Sequence, residues 1–219
     1  MKINIAIDGP SAAGKSTIAK RLAKELQYAH LDTGAMYRCV AYKALDSHID
    51  LDDEDSISEI IRQFQIHFDA DGNVFINNED VTAAIRKNDI SMSASKVSVH
   101  KKVRELLVSM QQEMAKDKGY VMDGRDIGTV VLKDAELKLY LIASAEARAN
   151  RRVKEYVEKG ILVDYTSIYE DIIKRDYQDM NREISPLTKA EDAIEIDTSN
   201  MSIDEVVAYS LDLISKLGC

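Results

Sequence analysis

The segment Gly9–Ser16 constrains this chain more than any other feature, because its sequence GPSAAGKS fits the pattern GxxxxGK[ST] at every fixed position. A β-branched run over residues 3–7 precedes it and predicts a short buried strand. Apolar residues at helical spacing over Ile18–Leu26 follow it and predict a helix that starts just after Gly14 and continues through Gln27. A strand, a glycine-rich turn and a helix in this order are the setting in which such a segment binds phosphate.

Each residue type in this segment has a chemical reason to be there. The glycines let the backbone wrap around a phosphate, whose charge is favoured by backbone N–H groups and by the helix dipole. Lys15 reaches the outer phosphates, Ser16 faces a magnesium ion, and Asp123, at the end of a later predicted strand, orients that ion through water. Asp8, at the end of the first strand, is expected to support the loop. The residues predicted to hold the phosphates of ATP are Gly9, Pro10, Ser11, Ala12, Ala13, Gly14, Lys15, Ser16 and Thr17.

The phosphate-binding pattern alone does not choose among kinases, motors and switches. A GTPase switch needs an Asn-Lys-x-Asp segment that reads guanine, and the sequence contains no such tetrapeptide. A kinase is therefore favoured. The alternatives are a nucleotide-sensing switch or binding module with slow ATP turnover, and a chance glycine turn.

The charge of the chain sets a second constraint. Lys and Arg total 29 against 38 Asp and Glu, which gives a formal net charge of -9. That sign is wrong for a general nucleic-acid or anionic-membrane binder. A kinase that places a second phosphate beside the first must offset a repulsion of roughly 4 kcal/mol at about 4 Å. Arginines must therefore be concentrated locally.

Two groups of arginines fit this requirement. Arg148 and Arg152 lie four residues apart and share a helix face, and Arg175, Asp179 and Arg182 repeat at i, i+4 and i+7. Guanidinium groups fork onto phosphate oxygens and keep their charge when water is excluded. A basic lid that closes over the transferring group would use them in this way. The alternative is a pair of solvated helices with intrahelical ion pairs.

The remaining sequence alternates strands and helices, which favours a parallel sheet covered by helices on both faces. Two short apolar runs flank Asp71-Gly72 and predict an inserted β-hairpin, and Ser202–Glu205 reads as a capping box that opens the last helix. Further strands are predicted at 120–122, 137–143 and 193–196, and helices at 35–45, 52–64 and from 103 to near 119. We predict one three-layer α/β domain over 1–219, with a core at about 1–40, 100–147 and 183–219, an acceptor-binding lobe with the hairpin at about 41–99, and a helical lid at about 148–182.

The cysteines and histidines show neither the number nor the spacing of a disulfide scaffold or a metal site. Cys39 and Cys219 are too few for a disulfide scaffold, and the four histidines have no metal-ligand spacing. The first apolar run ends at Asp8, which is too short for a signal peptide or a membrane span. We expect a cytoplasmic monomer with no membrane or nucleic-acid partner.

Four separated segments resemble those of the bacterial cytidylate kinase family. They read IDGPSAAGKST, LDTGAMYR, DGRDIGTVV and KRDYQDMNREISPL, and the resemblance extends over essentially the whole chain, including the hairpin insert typical of the bacterial form. It implies a P-loop kinase fold with a lobe for the nucleoside monophosphate (NMP) and a lid. It also implies direct transfer of the γ-phosphoryl group of ATP to the 5′-phosphate of CMP or dCMP, with Mg²⁺, in pyrimidine nucleotide metabolism.

The resemblance also assigns the acceptor side of the site. The residues that it implies are, in pairs, Thr33 and Arg38, Ser95 and Arg104, Arg125 and Asp126, and Asp179 and Arg182. By this resemblance, Thr33 and Arg38 hold the acceptor and its phosphate, and Ser95 and Arg104 read cytosine. Arg125 contacts the acceptor phosphate and Asp126 contacts the edge of cytosine. Asp179 and Arg182 approach the pentose. The residues to which we assign catalysis, by positioning and charge stabilisation without a general base, are Lys15, Arg125, Arg148 and Arg152.

Alternatives stay open at this point. A P-loop kinase for UMP, AMP or a hydroxyl metabolite has the same general requirements. The structural alternatives to base reading are a helix-surface hydroxyl for Ser95, a solvated helix face for Arg104 and a core position for Tyr37.

Overall fold

A computed structural model of the chain describes residues 2–69, 72–158 and 160–218, with the side chain of Asn88 excepted. The chain divides into two compact units, which are described separately. The first unit comprises the residues up to 28 and those from 118 onward, and the second comprises residues 29–117.

The secondary structure alternates strands and helices over most of the chain. In chain order the elements are β1 (Ile5–Asp8), α1 (Lys15–Leu26), β2 (Ala29–Asp32), α2 (Thr33–Asp46), α3 (Glu54–Ile61), β3 (Ile66–Phe68), β4 (Val74–Ile76), β5 (Glu79–Asp80), α4 (Asn88–Val97), α5 (Lys101–Met114), β6 (Tyr120–Gly124), β7 (Leu137–Ile142), α6 (Ala145–Glu158), α7 (Tyr165–Asn181), β8 (Ile194–Asp197) and α8 (Ile203–Lys216). A 3₁₀ turn covers Ala84–Arg86 and a π-helical turn covers Ile127–Val131. Among the described residues, no helix is long and apolar enough to cross a membrane.

The first unit is built on a parallel sheet in which its strands lie in the order β6-β1-β7-β8. The strand β1 has no exposed residue, because β6 and β7 flank it and α1 and α8 contribute to the same apolar core. Such continuous burial is typical of parallel strands. The predicted α/β architecture with a central parallel sheet is confirmed.

The register of this sheet brings the carboxyl ends of the strands to one edge. Asp8, the last residue of β1, lies opposite Gly124 of β6 and Tyr140 of β7, and Ile142 lies opposite Asp197 of β8. The loops after these strands therefore open at the same edge, which is where parallel α/β folds bind ligands.

The loop between β1 and α1 depends on two glycines. Gly14 has φ of 90° and caps α1, which begins at Lys15 as predicted. Gly9 has φ of 146°, and a Cβ atom added there would lie 2.1 Å from the carbonyl oxygen of Leu141. The backbone of the loop therefore passes against β7 at a distance that only glycine permits.

The second unit packs four helices beside a small antiparallel sheet. The helix α2 packs against α4, and α3 packs against α5. The strands lie in the order β3-β4-β5, and Ile66 pairs with Ile76 as Phe68 pairs with Val74. The predicted hairpin is confirmed, although Asp71 of its turn lies outside the described residues.

Among the described residues, the elements that were not predicted from the sequence are β2, β5, α4, the 3₁₀ turn and the π-helical turn after Asp126. The strands are four and two residues long, and α4 contains three serines, which are weak helix formers. The helix α4 does carry Ile90, Ala94 and Val97 on one buried face at i, i+4 and i+7, and that spacing was its signal.

We predict that Gly9→Ala destabilises the protein by about 2 kcal/mol or more, because the new methyl group would overlap backbone atoms that cannot move without shifting β7. Gly160→Ala is the matched control, since Gly160 also has positive φ, at 72°, but a Cβ there meets nothing within 4 Å. It should cost only about 1 kcal/mol, from backbone strain. Urea unfolding of both variants measures the difference, and equal losses would contradict the close approach at Gly9.

Candidate active site

Lys15 lies at the start of α1, among the backbone groups of the phosphate-binding loop. Its side chain is 6% exposed, and Nζ donates a hydrogen bond to the carbonyl oxygen of Pro10 at 2.6 Å. Burial, together with the nearby charge of Arg125, lowers the pKa of Lys15 to about 7. A cation held in this way is stabilised by the arrival of an anion, as expected of a phosphate-binding lysine.

Ser16 and Asp123 meet beside this lysine. The Ser16 hydroxyl donates to Oδ2 of Asp123 at 2.6 Å, and Asp123 lies near the end of β6 with 3% of its surface exposed. A hydroxyl and a carboxylate are hard oxygen ligands, which suit Mg²⁺ when phosphate oxygens and waters complete the shell. Among the described residues, no group of three or more His, Cys, Asp or Glu side chains is placed to hold a metal ion. The pair supplies two oxygen atoms of the kind that a hard divalent cation accepts as ligands.

The segment that follows β6 brings the predicted acceptor residues of the first unit together. Nε of Arg125 donates to Oδ2 of Asp179 at 2.7 Å, and Nη2 of Arg182 lies 3.5 Å from Oδ1 of Asp126. Although burial opposes ionisation of Asp179, the charge of Arg125 holds its pKa below the usual range. Arg182 lies one residue beyond the end of α7, and its Nε donates to the carbonyl oxygen of Ser185 at 2.5 Å. The sequence spacing predicted Arg175, Asp179 and Arg182 on one helix face, but α7 ends at Asn181 and the backbone of Arg182 is extended. Asp179 and Arg182 instead form ion pairs with Arg125 and Asp126.

Arg148 and Arg152 both contact the phosphate-binding loop at Ser11. Nη1 of Arg148 donates to the Ser11 carbonyl oxygen at 3.2 Å, and Nη1 of Arg152 donates to the Ser11 hydroxyl at 3.3 Å. Arg148 is only 5% exposed and also forks onto Asp176 of α7, with distances of 3.0 and 2.6 Å. The shared helix face predicted from the sequence is present. The hydrogen bonds of Arg148, however, connect α6 to α7 and to the phosphate-binding loop.

A pocket of about 400 Å³ lies on the α1 side of the phosphate-binding loop. Its apolar wall includes Ile18, Met201 and Val206. Arg151 forms part of the wall and donates to the Thr198 hydroxyl at 3.1 Å and to the Thr198 carbonyl oxygen. A partly apolar cavity beside a triphosphate loop suits the nucleoside half of the same ligand. Sequence reasoning missed this pocket, because its walls come from three distant segments.

The second unit holds the other predicted acceptor residues on α2, α4 and α5. Nη2 of Arg38 donates to Oδ2 of Asp32 at 2.7 Å. The guanidinium of Arg104 lies 5.5 Å from the ring centroid of Tyr37, and its Nη1 donates to the Ser98 carbonyl oxygen at 3.1 Å. Arg104 is 3% exposed, so the solvated-face alternative for this residue is wrong. Tyr37 is half-buried and faces a cation, which differs from a purely apolar core residue.

Thr33 and Ser95 complete this group. Thr33 is the first residue of α2 and is 4% exposed. Ser95 is half-buried on α4, and its hydroxyl lies 3.5 Å from the carbonyl oxygen of Ser91. A hydroxyl with only this long intrahelical contact is available to a further partner.

The fold and the phosphate-binding loop define the class of this protein as the α/β P-loop proteins. Two solved structures support the fold. A shikimate kinase from Bacteroides thetaiotaomicron is 14% identical, with a TM-score of 0.51 over 98% of this chain and 99% of that chain. A sugar kinase from Janibacter sp. HTCC2649 is 13% identical, with a TM-score of 0.52 over 98% and 95%. Identities this low concern the fold alone.

The family follows from more similar sequences. The family model for cytidylate kinase matches residues 5–216. A protein of Caldicellulosiruptor bescii named cytidylate kinase is 54% identical over 219 residues, which cover 99% of this chain and 97% of that one. The cytidylate kinase of Bacillus subtilis (strain 168) is 49% identical over 98% and 97%. The chain therefore belongs to the cytidylate kinase family, an enzyme family, as the resemblance implied.

We predict that Asp176→Ala lowers the free energy of unfolding by about 3 kcal/mol or more, because it leaves the buried guanidinium of Arg148 without its carboxylate. The control is Glu105→Ala, which removes an exposed partner of Lys101 at 3.9 Å and should change stability by less than about 1 kcal/mol. Chemical denaturation measures both. Similar values for the two variants would show that the Arg148 pair contributes no more than a surface pair.

Proposed function

We propose that the chain transfers the γ-phosphoryl group of ATP to the 5′-phosphate of CMP and dCMP, forming CDP and dCDP, with Mg²⁺ as the required ion. The observation that carries the proposal is a second cationic group beside the triphosphate loop. Arg125 is near enough to Lys15 for its charge to lower the pKa of the lysine. A switch has no need of two neighbouring anion sites, whereas a kinase must hold two phosphates together.

The donor side uses the phosphate-binding loop. The backbone of residues 9–17 cradles the phosphates, and Lys15 contacts the outer ones. Ser16 would hold Mg²⁺, and Asp123 would orient it through water, since their oxygens already lie 2.6 Å apart. When bound with ATP, the ion neutralises charge on the β- and γ-phosphates. The pocket lined by Ile18 and Arg151 receives the nucleoside of the donor.

The acceptor side uses arginines for the phosphate and polar groups for the base. Arg38 and Arg125 contact the acceptor phosphate, and Thr33 holds the nucleotide. Ser95 and Asp126 contact cytosine, whose amino donor and ring acceptors match a carboxylate and a hydroxyl.

The remaining acceptor residues are already engaged with carboxylates or rings. Arg104 contacts the base beside Tyr37. Asp179 and Arg182 approach the pentose, and their present partners are Arg125 and Asp126. The phosphate of a bound ligand takes the place of a carboxylate on an arginine, and the hydroxyl groups of the ligand bond the released carboxylate. No charged group is then left without a partner.

Residues of about 148–182 act as the lid and those of about 41–99 as the NMP-binding lobe, with the rest as core. The arginines Arg148 and Arg152 bring positive charge to the transferring group, and their contacts with Ser11 support this placement. Closure excludes water, which would otherwise compete as acceptor. No residue is assigned as a general base, because transfer depends on position and charge.

The cellular setting follows from the reaction. Its partners are the small nucleotides ATP, CMP and dCMP, and it belongs to pyrimidine nucleotide metabolism in the cytoplasm. We propose a monomer, and sedimentation at several protein concentrations tests that state.

We predict that ADP release in a coupled assay with ATP and Mg²⁺ is strongly accelerated by CMP and dCMP, and not by UMP, AMP, GMP or shikimate. Lys15→Ala is the control variant, and it should reduce turnover by about 10²-fold or more with every acceptor, since it removes the charge on the outer phosphates. Near-normal turnover in that variant would contradict the role of the loop.

Other outcomes of the same assay identify the rival functions. Acceleration by a different compound would keep the kinase and overturn the base-reading residues. If no small acceptor accelerated ATP consumption while a partner protein did, the switch would replace the kinase.

We predict that Ser95→Ala and Arg104→Ala each raise the KM for CMP about tenfold or more, because each removes a polar contact that the base cannot replace. The dissociation constant for ATP should change less than about twofold, because neither residue touches the donor in this proposal. Ser98→Ala is the matched control, since Arg104 bonds the backbone oxygen of that residue, which the substitution keeps. Equal weakening of ATP and CMP would argue against base reading.

A further inference from the structure

Asp8 is a buried carboxylate to which none of the roles above is assigned. It is the last residue of β1, directly before Gly9, and is 5% exposed. Its Oδ1 accepts a hydrogen bond from the backbone N–H of Ile127 at 2.8 Å, and its Oδ2 accepts one from the N–H of Gly128 at 2.7 Å. The two partners lie 119 and 120 residues away in the sequence. The side chain that we expected to support the phosphate-binding loop, which follows Asp8, therefore bonds a different segment.

Those two amides open the π-helical turn Ile127–Val131, and the first N–H groups of any helix lack partners within it. The residue before the turn, Asp126, makes no capping hydrogen bond with its own side chain. Its carboxylate lies instead 3.5 Å from Nη2 of Arg182. Because Asp8 caps the turn from another strand, Asp126 is able to face the binding site.

The fit between Asp8 and the turn is close. A Cβ atom on Gly128 would lie 3.4 Å from Oδ2 of Asp8 and 3.1 Å from Cδ of Lys138. Burial raises the pKa of Asp8 to about 6, against the two amide hydrogen bonds, which lower it. Burying a carboxylate costs free energy, which the two amide hydrogen bonds offset while they satisfy the first N–H groups of the turn. Asp8 therefore fixes the position of the turn relative to the end of β1.

We propose that Asp8 is a positioning residue for the acceptor nucleotide, because it holds the segment of Arg125 and Asp126 in register with the phosphate-binding loop. The proposal rests on the proposed function, in which these two residues contact the acceptor. Asp8 lies between the two halves of the reaction: its backbone leads into the loop for ATP, and its side chain fixes the turn that follows Asp126. A carboxylate in this place sets the distance between donor and acceptor phosphates, on which transfer depends.

The test is Asp8→Asn, which keeps the shape but offers an NH₂ group to one of the two amides. Losing one charge-assisted hydrogen bond should raise the KM for CMP about tenfold. The dissociation constant for ATP, measured by calorimetry, should stay within about twofold. Glu136→Gln is the matched control, since Oε2 of Glu136 also accepts a hydrogen bond from a distant backbone N–H, that of Asn4 at 2.9 Å, and Glu136 lies outside the lobe, the lid and the assigned nucleotide contacts. It should leave the KM for CMP unchanged.

Gly128→Ala provides a second route if Asp8→Asn does not fold, as judged by circular dichroism. Its methyl group displaces the Gly128 amide from the carboxylate and should also raise the KM for CMP while sparing ATP binding. An unchanged KM for CMP in a folded variant, or equal weakening of ATP and CMP, would overturn the positioning role. If the unmodified protein uses no nucleoside monophosphate, the proposed function fails, and the role of Asp8 falls with it.

Discussion

The mutual repulsion of buried cations is the constraint on which this site depends. Lys15 and Arg148 are 6% and 5% exposed, and the side chain of Arg182 is 9% exposed. Water cannot screen charges in such positions, so the chain itself has to offset them. It does so with carboxylates: Asp176 for Arg148, Asp126 for Arg182 and Asp179 for Arg125. The acidic balance of the chain is therefore compatible with a site for two anionic ligands.

These pairs also make reversible binding possible. A phosphate that binds one of these arginines competes with its carboxylate, and the loss of that pair offsets part of the binding free energy. Lys15 differs, because its Nζ donates a hydrogen bond to a carbonyl oxygen and not to a carboxylate, and its pKa is lowered to about 7. The arrival of a triphosphate gives the lysine its opposite charge. The loop is thus most sensitive to an anion at the position where ATP has its outer phosphates.

Local patterns predicted the parts of the fold that depend on neighbouring residues. The helix after Gly14, the hairpin strands and the capping box at Ser202 and Glu205 all follow from residues within a few positions of one another. The resemblance to bacterial cytidylate kinases added the acceptor residues, of which only Asp179 and Arg182 had a spacing signal of their own. The strand β2, the helix α4 and the π-helical turn were missed, because tertiary packing stabilises them where their composition does not.

The interactions that sequence reasoning could not supply are pairs between distant elements. The spacing of Arg148 and Arg152 placed them on one face, but nothing local indicated that Asp176, on another helix, would fork onto Arg148. Asp8 likewise reads as the end of a strand, while its carboxylate organises a turn more than a hundred residues later. Asp176 bonds a residue to which we assign a phosphate contact, and Asp8 bonds the turn next to two residues to which we assign contacts with the acceptor. The motif supplies the chemical groups, and the parallel register of β1 and β6 supplies their common edge. The buried carboxylates between elements then set the orientation that phosphoryl transfer requires.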